Sequence, residues 1–230
     1  MSGPILEAVG LRKTYRGGDG GLIDVLRGLD LAVETGEFVA VTGESGSGKS
    51  TLLHLLGALD RPTGGTVQLD GVEYQRLDAA GLASLRNARM GFVFQFHHLL
   101  RDFSALENVA MPLLIAGESP ANAQARAREL LNAVGLGGRL SHLPAQLSGG
   151  EQQRTAVARA LVTNPVLVLA DEPSGNLDEG NASQLHALFA GLAREFQTAV
   201  VVVTHNRALA GLADRILSLS EGVLAEMVAR

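Results

Sequence analysis

An α/β fold with a mostly parallel core sheet is predicted by three patterns in this 230-residue chain. Val166-Leu167-Val168-Leu169-Ala170 and Ala199-Val200-Val201-Val202-Val203 are unbroken apolar runs, as strands buried on both faces of a sheet require. Between them, Ala182 to Phe196 reads as the crossover helix that parallel pairing needs. Earlier in the chain, the glycine-rich run Gly43-Glu44-Ser45-Gly46-Ser47-Gly48-Lys49-Ser50-Thr51 links an apolar strand, Phe38-Val39-Ala40-Val41, to a helix-like Leu52-Leu53-His54-Leu55-Leu56.

In chain order, Leu29-Asp30-Leu31-Ala32-Val33 is a strand and Glu34-Thr35-Gly36-Glu37 its turn, leading into the Phe38 strand. Val67 to Tyr74 alternates apolar and polar residues around Asp70-Gly71, a hairpin signal because both turn positions tolerate positive φ. The middle of the chain is helical. Ser119 supplies an N-cap and Pro120 a first-turn proline, Ala123, Ala127, Leu130, Leu131 and Val134 recur at helical spacing, and Gly135 ends the run. No linker, repeat or low-complexity tract interrupts residues 1–230, which read as one α/β domain with a helical insertion.

Composition narrows the function classes. A 46% hydrophobic content supplies a sizeable core, and 19% charged residues argue against disorder. The net charge of −5 gives no electrostatic footprint for nucleic acid, so no nucleic-acid partner is expected. The lack of cysteine excludes disulfides and thiolate metal sites. Met1 to Glu7 carries no basic start followed by an apolar signal core, and no apolar stretch approaches the about 20 residues that span a bilayer. A membrane connection must come through a partner.

The glycine-rich run has the Walker A pattern in the context that pattern needs, between a strand and a helix. Its glycines let backbone N–H groups curl around a phosphate, the helix start adds a positive dipole end, Lys49 reaches the β- and γ-phosphates, and Ser50 ligates Mg²⁺. A flexible Gly/Ser turn rarely carries Gly-Lys-Ser at this spacing, so nucleoside triphosphate binding is the expectation. Asp171-Glu172 ends the Val166 strand, at the sheet edge where ligands sit in open α/β folds. Asp171 fits the acid that holds Mg²⁺, and Glu172 the carboxylate that orients and activates water.

Leu147-Ser148-Gly149-Gly150-Glu151-Gln152 places two glycines before a predicted helix, Gln153 to Leu161. As LSGGEQQR it resembles the signature motif of the ATP-binding cassette (ABC) ATPases. The other motifs stand in that family's order: Gln95 at the Q-loop, Ser174-Gly175-Asn176-Leu177-Asp178 at the D-loop and His205 at the switch histidine. Tyr15 sits where the family stacks an aromatic ring on adenine. Asn206 stands where aspartate is frequent, and Glu172 is the full acid.

The resemblance implies a P-loop core with an N-terminal antiparallel β subdomain and a helical subdomain over roughly residues 96–160. It implies ATP and Mg²⁺ as ligands and a second copy of the chain packed head to tail, so that each ATP lies between two copies. Ser148, Gly149, Gly150 and the D-loop Asp178 then serve the nucleotide, the signature residues reaching that of the partner. His205 contacts the γ-phosphate, and Gln95 senses Mg²⁺ and the attacking water beside the surface that faces membrane subunits.

The segment Gln95-Phe96-His97-His98-Leu99-Leu100, then Asp102-Phe103 and Ala105 to Leu114, is similar to the branch of this family that serves lipoprotein release in Gram-negative inner membranes. Arg101 replaces a proline expected there. This similarity implies a peripheral ATPase on the cytoplasmic face, docked on two related integral membrane subunits that handle the lipoprotein. Alternatives are the ATPase of a macrolide-type exporter or a non-transport cell-division regulator. His97 and His98 are read as partner contacts, and His54 as a packed core histidine.

Overall fold

The computed structural model describes residues 3–18 and 20–227; Met1 and Ser2 of the N-terminal segment discussed above lie outside them. Two sheets organise the chain. The smaller is four-stranded and antiparallel, in the order β2-β1-β4-β5, from β1 (Leu6–Arg16), β2 (Leu22–Val33), β4 (Gly64–Leu69) and β5 (Val72–Glu73). The larger is six-stranded, β10-β9-β3-β8-β7-β6. It comprises β3 (Phe38–Thr42), β6 (Met90–Phe94), β7 (Leu167–Asp171), β8 (Ala199–Val203), β9 (Arg215–Ser220) and β10 (Val223–Glu226). All its pairs are parallel except β10 with β9.

The Asp70-Gly71 hairpin forms as read, with Leu69 opposite Val72 and φ of 49° and 77° at the two turn residues. The 29–33 run is the end of the longer β2, whose first half the apolar pattern alone did not mark.

The continuous apolar runs are explained by two cores, one on each face of the large sheet. Along β8, Val200 and Val202 join one cluster and Ala199, Val201 and Val203 the other; β3 and β7 divide in the same alternating way. The first face is covered by α3 (Ala105–Ile115), α4 (Pro120–Ala133), α5 (Gly149–Leu161) and α6 (Glu179–Phe196). The second is covered by the antiparallel sheet and α1 (Lys49–Leu56), with α2 (Ala79–Arg89) alongside. The α4 helix has its Ser119 cap and Pro120 as anticipated, and α6 begins three residues before the Ala182 start read from the sequence.

The start of α5 differs from the reading. Gly149 and Gly150 are its first helical residues, not a loop before a helix at Gln153. Ser148 Oγ accepts from the Glu151 N–H at 3.3 Å, and Glu151 Oε2 accepts from the Ser148 N–H at 2.8 Å, so two orphan amides of the first turn are satisfied reciprocally. That capping box offsets the poor helix propensity of paired glycines.

The topology fixes the site by register. Val41 of β3 lies opposite Val203 of β8, Val203 opposite Asp171 of β7, and Asp171 opposite Phe94 of β6. Four parallel strands therefore end on one row, and the residues that follow share a single crevice at their carboxyl edge.

Candidate active site

A crevice of about 1020 Å³ opens at that edge and is lined by Gly43, Ser45, Gly46, Gly48, Lys49, Ser50, Thr51, Gln95, Asp171, Glu172 and His205, together with His54, Phe94 and His98. Residues distant in sequence thus meet because their strands finish together.

The glycine-rich loop leaves β3 through backbone that side chains cannot follow. Gly43 has φ 152° and a Cβ there would stand 2.3 Å from the Leu219 carbonyl oxygen; Gly48, with φ 101°, would press on Val25. Gly48 is the N-cap of α1 and makes no side-chain cap bond, so the helix start keeps its amides directed at the crevice. Lys49 Nζ donates to the Gly43 and Glu44 carbonyls, both at 2.8 Å, and lies across its own loop. Glu44 and Ser47 belong to the same loop and face a neighbouring hollow beside the turn between β9 and β10.

Asp171 and Glu172 are adjacent but held differently. Burial pushes the Asp171 carboxyl above its usual range; a hydrogen bond from Ser50 opposes this, the Glu172 charge adds to it, and His54 and Lys49 oppose it. Glu172 sits in the left-handed region at φ 43°, a conformation that costs about 1–3 kcal/mol for a non-glycine residue. Its N–H donates to the Val203 carbonyl at 2.9 Å and its carbonyl accepts from Gly175 at 3.0 Å. Its Oε2 accepts from Thr204 Oγ1 at 2.9 Å, and its Oε1 accepts from the His205 N–H at 3.0 Å and lies 2.7 Å from His205 Nδ1. The carboxylate is thus mostly enclosed, while the His205 ring stays exposed to the crevice.

Gln95 and Asn176 form a reciprocal pair. Gln95 Nε2 donates to Asn176 Oδ1 and Asn176 Nδ2 donates to the Gln95 carbonyl, each at 3.1 Å. The D-loop is therefore tied to the end of β6. Asp178 lies farther on as the N-cap of α6, accepting from the Asn181 N–H at 2.9 Å and side chain at 2.6 Å; these bonds hold its carboxyl below the usual range.

Some expected residues stand outside the crevice lining. Ser148, Gly149 and Gly150 form the start of α5 and do not line the crevice of their own copy. A Cβ on Gly149 would meet nothing within 4 Å, whereas one on Gly150 would stand 2.3 Å from Asn181 Oδ1 of α6. Gly149 thus presents bare backbone outward and Gly150 locks the helix start against its neighbour. Tyr15 also lies beyond the lining, with its hydroxyl donating to Asp60 Oδ2 at 2.9 Å.

The reading of His54 needs correction. His54 lines the crevice instead of packing in the core, because α1 buries Leu52, Leu53, Leu55 and Leu56 and turns position 54 toward Asp171. His98, at φ 47°, also lines it and makes an edge contact with the Phe94 ring at 5.3 Å. Burial lowers the proton affinity of His97, against a raising contribution from the Gly149 backbone. Arg159 of α5 donates to the His98 and His97 carbonyls at 2.8 and 2.9 Å, which fixes this turn.

Sequence reasoning also passed over Asn108. It is fully buried, its Nδ2 donates to the Leu100, Phe103 and Ser104 carbonyls and its Oδ1 accepts from the Leu100 N–H. One amide thereby closes the whole loop after Gln95; a polar residue on the apolar face of α3 was the available signal. Beyond that loop a groove of about 420 Å³ is lined by Leu59, Arg86, Phe92, Phe94, Pro112 and Ile115, among others, and contains neither His97 nor His98.

A phosphate-binding loop, a strand-end acid pair with a facing histidine, and an outward signature helix on this sheet define an ABC-type ATPase. The ABC transporter family profile matches residues 26–175, and the chain belongs to that family. Among its relatives, the lipoprotein-releasing system ATP-binding protein LolD of Alcanivorax borkumensis is 53% identical over 97% of both chains. That of Chromohalobacter salexigens is 54% identical over 96% of this chain and 93% of its own. The solved ATP-binding cassette MJ0796, in a dimeric post-hydrolysis state bound to ADP and Pi, superposes with a TM-score of 0.90 at 39% identity, covering 98% of this chain and 99% of that one.

Proposed function

We propose that this chain is the ATP-hydrolysing subunit of a lipoprotein-releasing complex, acting as two copies on the cytoplasmic face of an inner membrane beneath two related, LolC/LolE-like membrane subunits. The observation that carries this reading is the near-full-length identity to LolD proteins of several bacteria. The intact acid at Glu172 and its held geometry support catalysis.

In this reading the loop amides and Lys49 bind the triphosphate, and Lys49 exchanges its loop carbonyls for phosphate oxygens. Glu172, pinned by Thr204 and the His205 backbone, orients the attacking water and takes its proton. The exposed His205 ring contacts the γ-phosphate, and Gln95 lies between the nucleotide and the loop it tethers. Tyr15 stacks on the base. Mg²⁺ would be held by the oxygen donors of Ser50, Asp171 and Gln95, which line the crevice together. When bound it neutralises charge on the phosphates.

Because Ser148, Gly149 and Gly150 do not line their own crevice, they serve the nucleotide of the second copy, and Asp178 contributes from the same interface. The dimeric cassette that this chain resembles supports that arrangement. Among the described residues no helix is long and apolar enough to cross a membrane, and the groove at Leu59, Pro112 and Ile115 receives a helix of each membrane subunit. Capture of the tagged chain from detergent-solubilised membranes of its host, followed by mass spectrometry, tests the assignment. Two related membrane subunits with bound lipoprotein are expected. Efflux or cell-division components instead would overturn the lipoprotein role while leaving the ATPase intact.

A further inference from the structure

Lys13 carries out no step in the mechanism above, yet it is a nearly buried cation, 8% exposed, on β1 two residues before Tyr15. Burying an ammonium costs several kcal/mol unless partners replace its water. Its hydrogen-bond partners are on the segment that follows α1. Nζ donates to Asp60 Oδ1 at 2.8 Å and to the Arg61 carbonyl at 2.7 Å. The same ammonium stands 4.8 Å from the centre of the Tyr15 ring, within cation–π range.

Asp60 closes the triangle. Its Oδ2 accepts from the Tyr15 hydroxyl at 2.9 Å and its Oδ1 accepts from the Arg61 N–H at 2.7 Å, while its own N–H reaches the His54 carbonyl at 3.3 Å. Burial pushes the Asp60 carboxyl up, but the bonds from Lys13, Tyr15 and Arg61 outweigh it and hold the group below its usual range. The Tyr15 hydroxyl is pushed up by burial and by its bond to Asp60. Tyr15 is therefore fixed at its hydroxyl and along one face by two charges, and still leaves 38% of its surface exposed. Free rotation of an exposed tyrosine would otherwise be lost each time a ligand stacked on it.

We propose that Lys13 and Asp60 are positioning residues that hold the Tyr15 ring as a preformed platform for the nucleotide base and lock it to the end of the phosphate-loop helix. The proposal rests on the reading of Tyr15 as the base-stacking residue. It makes the pair determinants of base recognition and leaves the phosphate chemistry to the crevice. Loss of the pair costs affinity for a nucleotide with a base, and costs nothing for a bare polyphosphate.

The test compares Asp60→Asn, Lys13→Met, Lys13→Arg, Tyr15→Phe and Tyr15→Ala in the full chain, each checked for an unchanged circular-dichroism spectrum. The readouts are KM and kcat for ATP and the inhibition constant of inorganic tripolyphosphate, which has no base. Asp60→Asn and Lys13→Met are expected to raise KM about fivefold with kcat within about twofold, leaving tripolyphosphate inhibition unchanged. Lys13→Arg, which keeps the charge, restores most of the affinity, and Tyr15→Phe, which loses only the hydroxyl, falls between. Equal weakening of ATP and tripolyphosphate would overturn the proposal, because the pair would then merely support the loop. An effect of Tyr15→Ala without one from Lys13→Met or Asp60→Asn would overturn positioning and leave the platform standing. No effect of Tyr15→Ala would remove the platform, and the proposal with it.

Discussion

Glu172 shows how a single carboxylate is prepared for work. A left-handed backbone aims it into the crevice, and three donors or ring contacts from the strand end of β8 fix both of its oxygens. Thr204 is the least obvious of these partners, because a threonine between a strand end and a histidine reads as ordinary sheet. Its hydroxyl also accepts from the Asn206 N–H at 3.0 Å, so it sets the turn as well as the acid. Thr204→Val keeps the shape and removes the hydroxyl; with a charge-assisted bond lost, kcat is expected to fall about tenfold with little change in ATP affinity. Steady-state kinetics with ATP binding measured separately checks this, and an unchanged kcat would make Thr204 a mere turn residue. Asp171, Glu172 and His205 were legible because each follows a recognisable apolar strand, whereas Gln95 was legible only from the family motif order. His54 and His98 were not, since helical phase and a single positive φ decide where they point.

At the scale of elements, the two buried strands and the hairpin followed directly from period and turn chemistry. The start of α5 did not, because two glycines suggest a loop until Ser148 and Glu151 are read together as a reciprocal cap. Glu151 is held at about 2 by the Ser148 N–H, Arg139 and the Ser148 hydroxyl. Its folded value lies below the ordinary 4.5, so its contribution is complete above 4.5 and is lost as pH falls from there through about 2. Glu151→Gln should flatten that limb of the acid-unfolding profile, and thermal melts across the acid range provide the check. Ser148→Ala should cost about 1 kcal/mol of stability and, with the cap facing the second copy as proposed above, reduce turnover as well. The Asn108 staple belongs at this scale too: it couples α3 to the loop after Gln95 by hydrogen bonds that no periodicity reveals.

For the whole molecule, the crevice and the groove share one wall. Phe94 lines both, and Arg159 lines the groove while gripping the His97–His98 turn. Beside the His97–His98 turn, which was read as the membrane-subunit contact, the groove adds exposed apolar residues, Leu59 and Ile115, as a second candidate for that contact. Ile115 is 69% exposed at the end of α3, so Ile115→Glu should leave ATP hydrolysis by the isolated chain intact and sharply reduce co-purification with membrane subunits. Undiminished recovery would place docking elsewhere. The central claim is that one copy holds half of each catalytic site. Its most direct test is the solution mass of Glu172→Gln with and without ATP, measured by light scattering. The account predicts a shift from the 24.0 kDa monomer to twice that mass on adding ATP, with turnover nearly abolished. A variant that stays monomeric at saturating ATP, or hydrolyses it at a normal rate, would contradict both the composite site and the role of Glu172.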